Sequence, residues 1–221
     1  MNDEPGNRTR VKICCIQDLE EARLAISHGA SAIGLVSAMP SGPGPIPESR
    51  IAVIAASVPP GIDTFLLTSE QTPEAVIRQQ RALHVRTLQL VDEFPPEGYT
   101  RLRAELPGIR IVQVLHVRSE KAVGEAVDLA PHVDAILLDS GNPELRTKEL
   151  GGTGKVHDWA ISRKIVEAID KPVYLAGGLK PENVRRAIES VKPFAVDVCS
   201  GVRTNGRLDK KKLADFFAAV G

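Results

Sequence analysis

The chain of 221 residues carries 28 basic and 28 acidic side chains, is 43% hydrophobic and 25% charged, and has only 4% aromatic residues. A formal charge of zero and so few aromatics leave no whole-chain case for binding nucleic acid or an anionic membrane, or for a base-stacking surface. No apolar run approaches the length of a membrane span, and the polar start MNDEPGNRTR has no apolar signal region. The three cysteines, two of them adjacent, make no disulfide framework, so the expected compartment is a reducing cytoplasm.

Short β-branched runs alternate with helical patterns along the chain. The first run, VKICCI from Val11, ends in the adjacent Cys14 and Cys15. Asp18 with Glu21 then reads as a capping box that opens a helix, and Gly29 as its stop. AIGLV from Ala32 is the second run, followed by helical spacing over Glu48 to Ser57. DTFLL from Asp63 and a helix over Pro73 to Leu83 come next, then TLQL from Thr87 and RIVQV from Arg110. Ser119, Ala122, Ala126 and Leu129 share one helical face before the sixth run, AILLD from Ala135. The last two runs are VYLAGG from Val173, with Pro181 expected at the first position of the following helix, and AVDVCSG from Ala195. KKKLADFFAAV closes the sequence as an amphipathic helix.

Runs that are apolar throughout, without strict alternation, fit strands buried on both faces of a parallel sheet. Eight such strands, each followed by a helix, predict a single-domain (β/α)₈ TIM barrel over residues 1–221, with 1–9 as a polar tail. A doubly wound open sheet is the alternative, because periodicity does not show whether a sheet closes.

A barrel builds its site at the C-terminal ends of its strands. Cys14, Asp139, Gly177, Gly178, Ser200 and Gly201 fall there. The two late glycine-bearing turns suit a phosphate, because backbone N–H groups can approach it closely beside a helix N-terminus. They equally suit plain tight turns. Asp139, leaving an apolar strand, is a general-acid candidate with a raised pKa or else a cap. Asp197 points into the barrel by alternation, as a satisfied core residue or a ligand for a sugar hydroxyl. Lys12 shares the Cys14 face and is read as an ion-pair partner of Asp197 in preference to a Schiff-base lysine. His116 is a weak site candidate, and the remaining histidines show no metal-ligand spacing with the cysteines.

These residues resemble a family. KICCIQDLEEARLAISHGASAIGLV resembles the opening of phosphoribosylanthranilate isomerases, whose signature there is K-I-C-G-I-T. LLDS…GGTGKVHDW, LAGGLKPENVRRAI and PFAVDVCSGV resemble the sixth, seventh and eighth units of that family, in order. The resemblance implies an Amadori rearrangement of N-(5′-phosphoribosyl)anthranilate in tryptophan biosynthesis, with no metal or organic cofactor and a small phosphosugar as the partner. It implies Cys14 as general base, Asp139 as general acid, and Gly177, Gly178, Ser200 and Gly201 around the phosphate. Cys15 stands where the family has glycine and is read as packing.

The sequence departs from the family at its aryl-binding side. Pro43 falls at the position of a substrate-orienting arginine, QLVDE replaces Q-L-H-G, and SGVR replaces S-G-V-E. Arg203 is therefore the candidate partner for the substrate carboxylate, against the alternative of a solvated loop charge. A related barrel enzyme acting on another phosphosugar, or a non-catalytic phosphometabolite binder, are the competing functional classes.

Overall fold

The computed structural model describes residues 9–141 and 157–221. The GGTGKV motif and all of the polar tail but Thr9 lie outside the described residues. Eight parallel strands close into a barrel in sequence order, so the sheet is not open. They are β1 (Arg10–Ile13), β2 (Ala32–Val36), β3 (Asp63–Thr68), β4 (Thr87–Leu90), β5 (Arg110–His116), β6 (Ala135–Asp139), β7 (Val173–Leu175) and β8 (Ala195–Val198). Closure pairs β1 with β8 in register, Lys12 opposite Asp197 and Ile13 opposite Val198. The helices are α1 (Leu19–Ser27), α2 (Glu48–Ser57), α3 (Pro73–Leu83), α4 (Pro96–Glu105), α5 (Lys121–Leu129), α6 (Trp159–Ala168), α7 (Val184–Val191) and α8 (Lys210–Val220). Among the described residues no helix is long and apolar enough to cross a membrane.

Every strand residue of β2, β4, β6 and β8 is buried, as strands covered on both faces require. One apolar layer, including Ile13, Ile33, Leu66, Leu88, Ile136 and Val196, packs against the helices. A second, with Phe65, Val112, Ala135 and Leu137, fills the barrel interior.

Two terminus signals resolve differently from the sequence reading. Asp18 caps α1 by accepting the N–H of Glu21 at 2.9 Å, but Glu21 reaches back to the N–H of Gln17, not of Asp18. Pro181 lies three residues before α7, in a turn that the Asn183 side chain closes by accepting the Lys180 N–H at 2.8 Å and donating to the Gly178 carbonyl at 2.9 Å. After β8, Asn205 and Gly206 both adopt positive φ (49° and 77°), making a tight hairpin between β9 (Arg203–Thr204) and β10 (Arg207–Leu208).

Candidate active site

A cavity opens at the C-terminal ends of the strands. Cys14, Asp139, Gly177, Gly178, Asp197 and Ser200 all line it. Gly201 and Arg203 do not.

Strand β1 delivers Cys14 to the rim, where the hydrogen bond from its N–H to the Val198 carbonyl (2.9 Å) ties it to β8. Space for its sulfur exists because residue 34 is glycine: a Cβ there would lie 2.9 Å from Cys14 Sγ. Beneath it Lys12, fully buried, bonds Asp197 at 2.8 Å and sits 5.2 Å from the centre of the Phe65 ring. Burial pushes the Lys12 ammonium down, but the Asp197 carboxylate and the two thiols outweigh it and hold the amine above its ordinary value. A lysine that stays charged cannot form a Schiff base, so the ion-pair reading of Lys12 holds. The Cys14 thiol is drawn below its usual range, chiefly by the Cys15 thiol beside it, with the Lys12 ammonium helping against the upward push of burial.

Asp139 ends β6 and is 7% exposed. Burial pushes its carboxyl up to about 6, although the Ser140 N–H donates to it at 2.7 Å. Gly177 makes this placement possible, since a Cβ on it would crowd Ser140 Oγ (2.9 Å) and Asp139 Oδ1 (3.2 Å). The site therefore holds a thiol shifted down and a carboxyl shifted up, the pattern of a base and an acid serving one reaction.

Each glycine of the two late turns has its own necessity. Gly177 and Gly178 take positive φ, 87° and 62°. Gly201 admits the Leu179 carbonyl, which a Cβ would meet at 1.9 Å, so the β7 and β8 turns lock together there. Among the described residues, the N–H groups of Gly178, Ser200 and Gly201 have no protein acceptor.

Arg203 is neither a solvated loop charge nor free to meet a substrate. Its guanidinium makes two 3.0 Å bonds to the buried Glu21 carboxylate and donates to the carbonyls of Cys14 (3.2 Å), Cys15 (2.6 Å) and Gly206 (3.0 Å). Glu21 in turn accepts the Leu208 N–H at 2.9 Å. The β9–β10 hairpin thus grips the outer side of the turn that carries the thiols. A sequence pattern of isolated charges 182 residues apart gave no signal for this pairing.

Cys15 is more than packing. It has φ 61°, donates to the Pro43 carbonyl at 3.5 Å, and touches the β2–α2 loop so closely that a Cβ on Gly44 would lie 2.6 Å from its own Cβ. Its thiol is pushed well above the usual range, chiefly by its neighbours Cys14 and Cys199 and by burial. Pro43 lines the cavity, as do Met39, Leu67, Val91, Val114 and Leu137, an apolar wall on the side away from the glycine turns. Within that wall Gln89 carries a buried Oε1 with no partner, a candidate that the β4 sequence alone did not single out. His116 does not line the cavity, and no described lining residue is a lysine or arginine.

The profile of the N-(5'phosphoribosyl)anthranilate (PRA) isomerase family matches residues 11–219. The chain is 34% identical over 209 residues to the N-(5'-phosphoribosyl)anthranilate isomerase of Methanocella arvoryzae, covering 95% of this chain and 96% of that protein. It is similar to the crystal structure of phosphoribosyl anthranilate isomerase from Thermotoga maritima, with TM-score 0.83 and 32% identity over 96% of this chain and 98% of that one. A phosphoribosyl anthranilate isomerase solved in complex with reduced 1-(o-carboxyphenylamino)-1-deoxyribulose 5-phosphate gives TM-score 0.80 and 28% identity, with 96% and 98% of the two chains covered.

Proposed function

The chain belongs to the N-(5'-phosphoribosyl)anthranilate isomerase family, and from that premise we propose how its own residues carry the reaction. The enzyme is an isomerase of the aldose–ketose type, which converts N-(5′-phosphoribosyl)anthranilate into 1-(2-carboxyphenylamino)-1-deoxyribulose 5-phosphate in tryptophan biosynthesis. What supports the assignment of roles is the cavity that holds both Cys14 and Asp139, with their pKa values moved towards each other.

Asp139, protonated up to about pH 6, gives its proton to the ribose ring oxygen as the C1–O bond breaks. The Cys14 thiolate then removes the proton from C2, and the resulting enol amine becomes the ketone. The phosphate is held by the unpaired N–H groups of Gly178, Ser200 and Gly201, with no lysine or arginine among the described lining residues. Asp197, already neutralising Lys12, is an acceptor on the cavity wall for a sugar hydroxyl. The aryl ring rests on the apolar wall, where the vacant Gln89 Oε1 accepts the anilino N–H. No metal or organic cofactor enters these steps. With three thiols kept free, the cytoplasm is the expected compartment.

The decisive assay follows consumption of N-(5′-phosphoribosyl)anthranilate by the purified protein. Wild type turns it over, and Cys14→Ser and Asp139→Asn each lose about 10²- to 10⁴-fold in kcat, the usual worth of a positioned acid or base. Wild-type protein without turnover contradicts the function, and an active Cys14→Ser enzyme contradicts the base assignment.

A further inference from the structure

The chain has three cysteines, and all three line the same cavity. Cys14 and Cys15 follow β1, and Cys199 follows β8, two strand ends joined by the Cys14–Val198 hydrogen bond. Cys15 is the common neighbour of the other two thiols. All three are free, and Cys199 is the one that solvent reaches most readily. The isomerisation uses one thiol as its base, and neither of the other two takes a proton from the substrate.

We propose that Cys15 and Cys199 form a built-in dithiol that reduces Cys14 after attack by a hydroperoxide, ending as a Cys15–Cys199 disulfide. The thiolate character that suits Cys14 to proton abstraction also makes it the first of the three to be oxidised. Its sulfur attacks one oxygen of hydrogen peroxide, the O–O bond breaks, and hydroxide leaves, giving the Cys14 sulfenic acid. The Cys15 thiol attacks that sulfur, and the hydroxyl departs as water with the Cys15 proton, giving a Cys14–Cys15 disulfide. The ring between adjacent cysteines is small and strained, so it is readily opened. Cys199 attacks the Cys15 sulfur, Cys14 leaves as thiolate, and the Cys199 proton goes to solvent. Cys14 is the sulfur that leaves because Cys199 neighbours Cys15, so the attack falls on the Cys15 sulfur. One peroxide is reduced to two waters, and two thiols are oxidised to one disulfide.

Without that relay the sulfenic acid proceeds to sulfinic acid, which thiol reductants do not reverse. The inference stands on the thiol arrangement whether or not Cys14 is the base, and the readout below requires no turnover. Wild type, Cys199→Ser, Cys199→Ala and Cys15→Gly are treated with excess hydrogen peroxide, alkylated and mapped by peptide mass spectrometry. The expected wild-type product joins Cys15 to Cys199 with Cys14 alkylated, and dithiothreitol returns all three thiols. Both Cys199 variants and Cys15→Gly should accumulate Cys14 sulfinic acid at least tenfold faster than wild type. The relay is overturned by equal rates in wild type and variants, by a final disulfide that retains Cys14, or by a Cys14 that excess peroxide leaves untouched.

Discussion

Two buried ion pairs flank the end of β1, and they do different things with the same chemistry. Lys12–Asp197 lies inside the barrel, with Asp197 on the wall of the cavity. Arg203–Glu21 lies outside it, behind the turn, and meets only protein groups. The inner pair sets the charge under the reactive thiol. The outer pair fixes where that thiol's backbone goes, because Arg203 donates to the carbonyls of Cys14 and Cys15. A buried pair is costly to break whichever side it serves, so stability alone does not tell what each pair does. Kinetics can.

The largest effects come from splitting either pair. Lys12→Met leaves Asp197 buried and unpaired and should cost about 3–5 kcal/mol in denaturant unfolding. Arg203→Ala leaves the buried Glu21 with Arg207 at 3.7 Å and two backbone N–H donors, and should cost less. Where both variants remain folded, Lys12→Met should shift the thiol limb of the pH–rate profile upward, since a supporting cation is gone. Arg203→Ala should lower kcat while leaving both limbs in place. Identical pH profiles for the two variants would erase the distinction between tuning and positioning.

A smaller effect runs the other way at Asp139. Its carboxyl rises from 3.8 to about 6 on folding, so the folded chain holds a proton that the unfolded chain has lost. Its contribution to stability is intact below about pH 4 and declines as pH rises through 6. Asp139→Asn removes this penalty and should stabilise the protein at neutral pH by up to about 3 kcal/mol, while turnover is lost. No gain in the unfolding midpoint would mean that the carboxyl is less desolvated than its position requires.

The smallest change is Cys15→Gly. It relieves a left-handed backbone at a non-glycine residue, worth about 1–2 kcal/mol, and keeps most of the activity. The thiol limb should move up, because the Cys15 thiol is the chief influence on Cys14.

The inner pair was legible in the sequence and the outer pair was not, and the reason is geometric. Strand alternation carries Lys12 and Asp197 to the same interior, and closure of β8 on β1 brings them together. The Arg203–Glu21 contact depends on a hairpin turned by Asn205-Gly206 and on α1 offering its third residue to it, neither of which alternation encodes. While β1 begins at the exposed Arg10, one residue before its apolar run, the starts of β2 to β8 and the bounds of α2 and α3 match the apolar pattern. The start of α7 does not, since the Asn183 side chain, not Pro181, organises that turn. The glycines of the β7 and β8 turns were visible as glycines. That Gly177 makes room for Asp139, and Gly201 for the Leu179 carbonyl, required the two turns to be seen packed together.

The central claim is that Cys14 and Asp139 act as base and acid on one substrate, and the pH dependence of kcat/KM tests it most directly. Below about pH 6 the rate should rise with pH as thiolate forms, then level off as Asp139 loses its proton. It should fall again once the thiol itself has titrated, below its ordinary range. In Asp139→Asn the break near pH 6 should vanish, leaving a much lower rate that climbs to the thiol limb and stays there. A break near pH 6 that persists unchanged in Asp139→Asn would contradict the account.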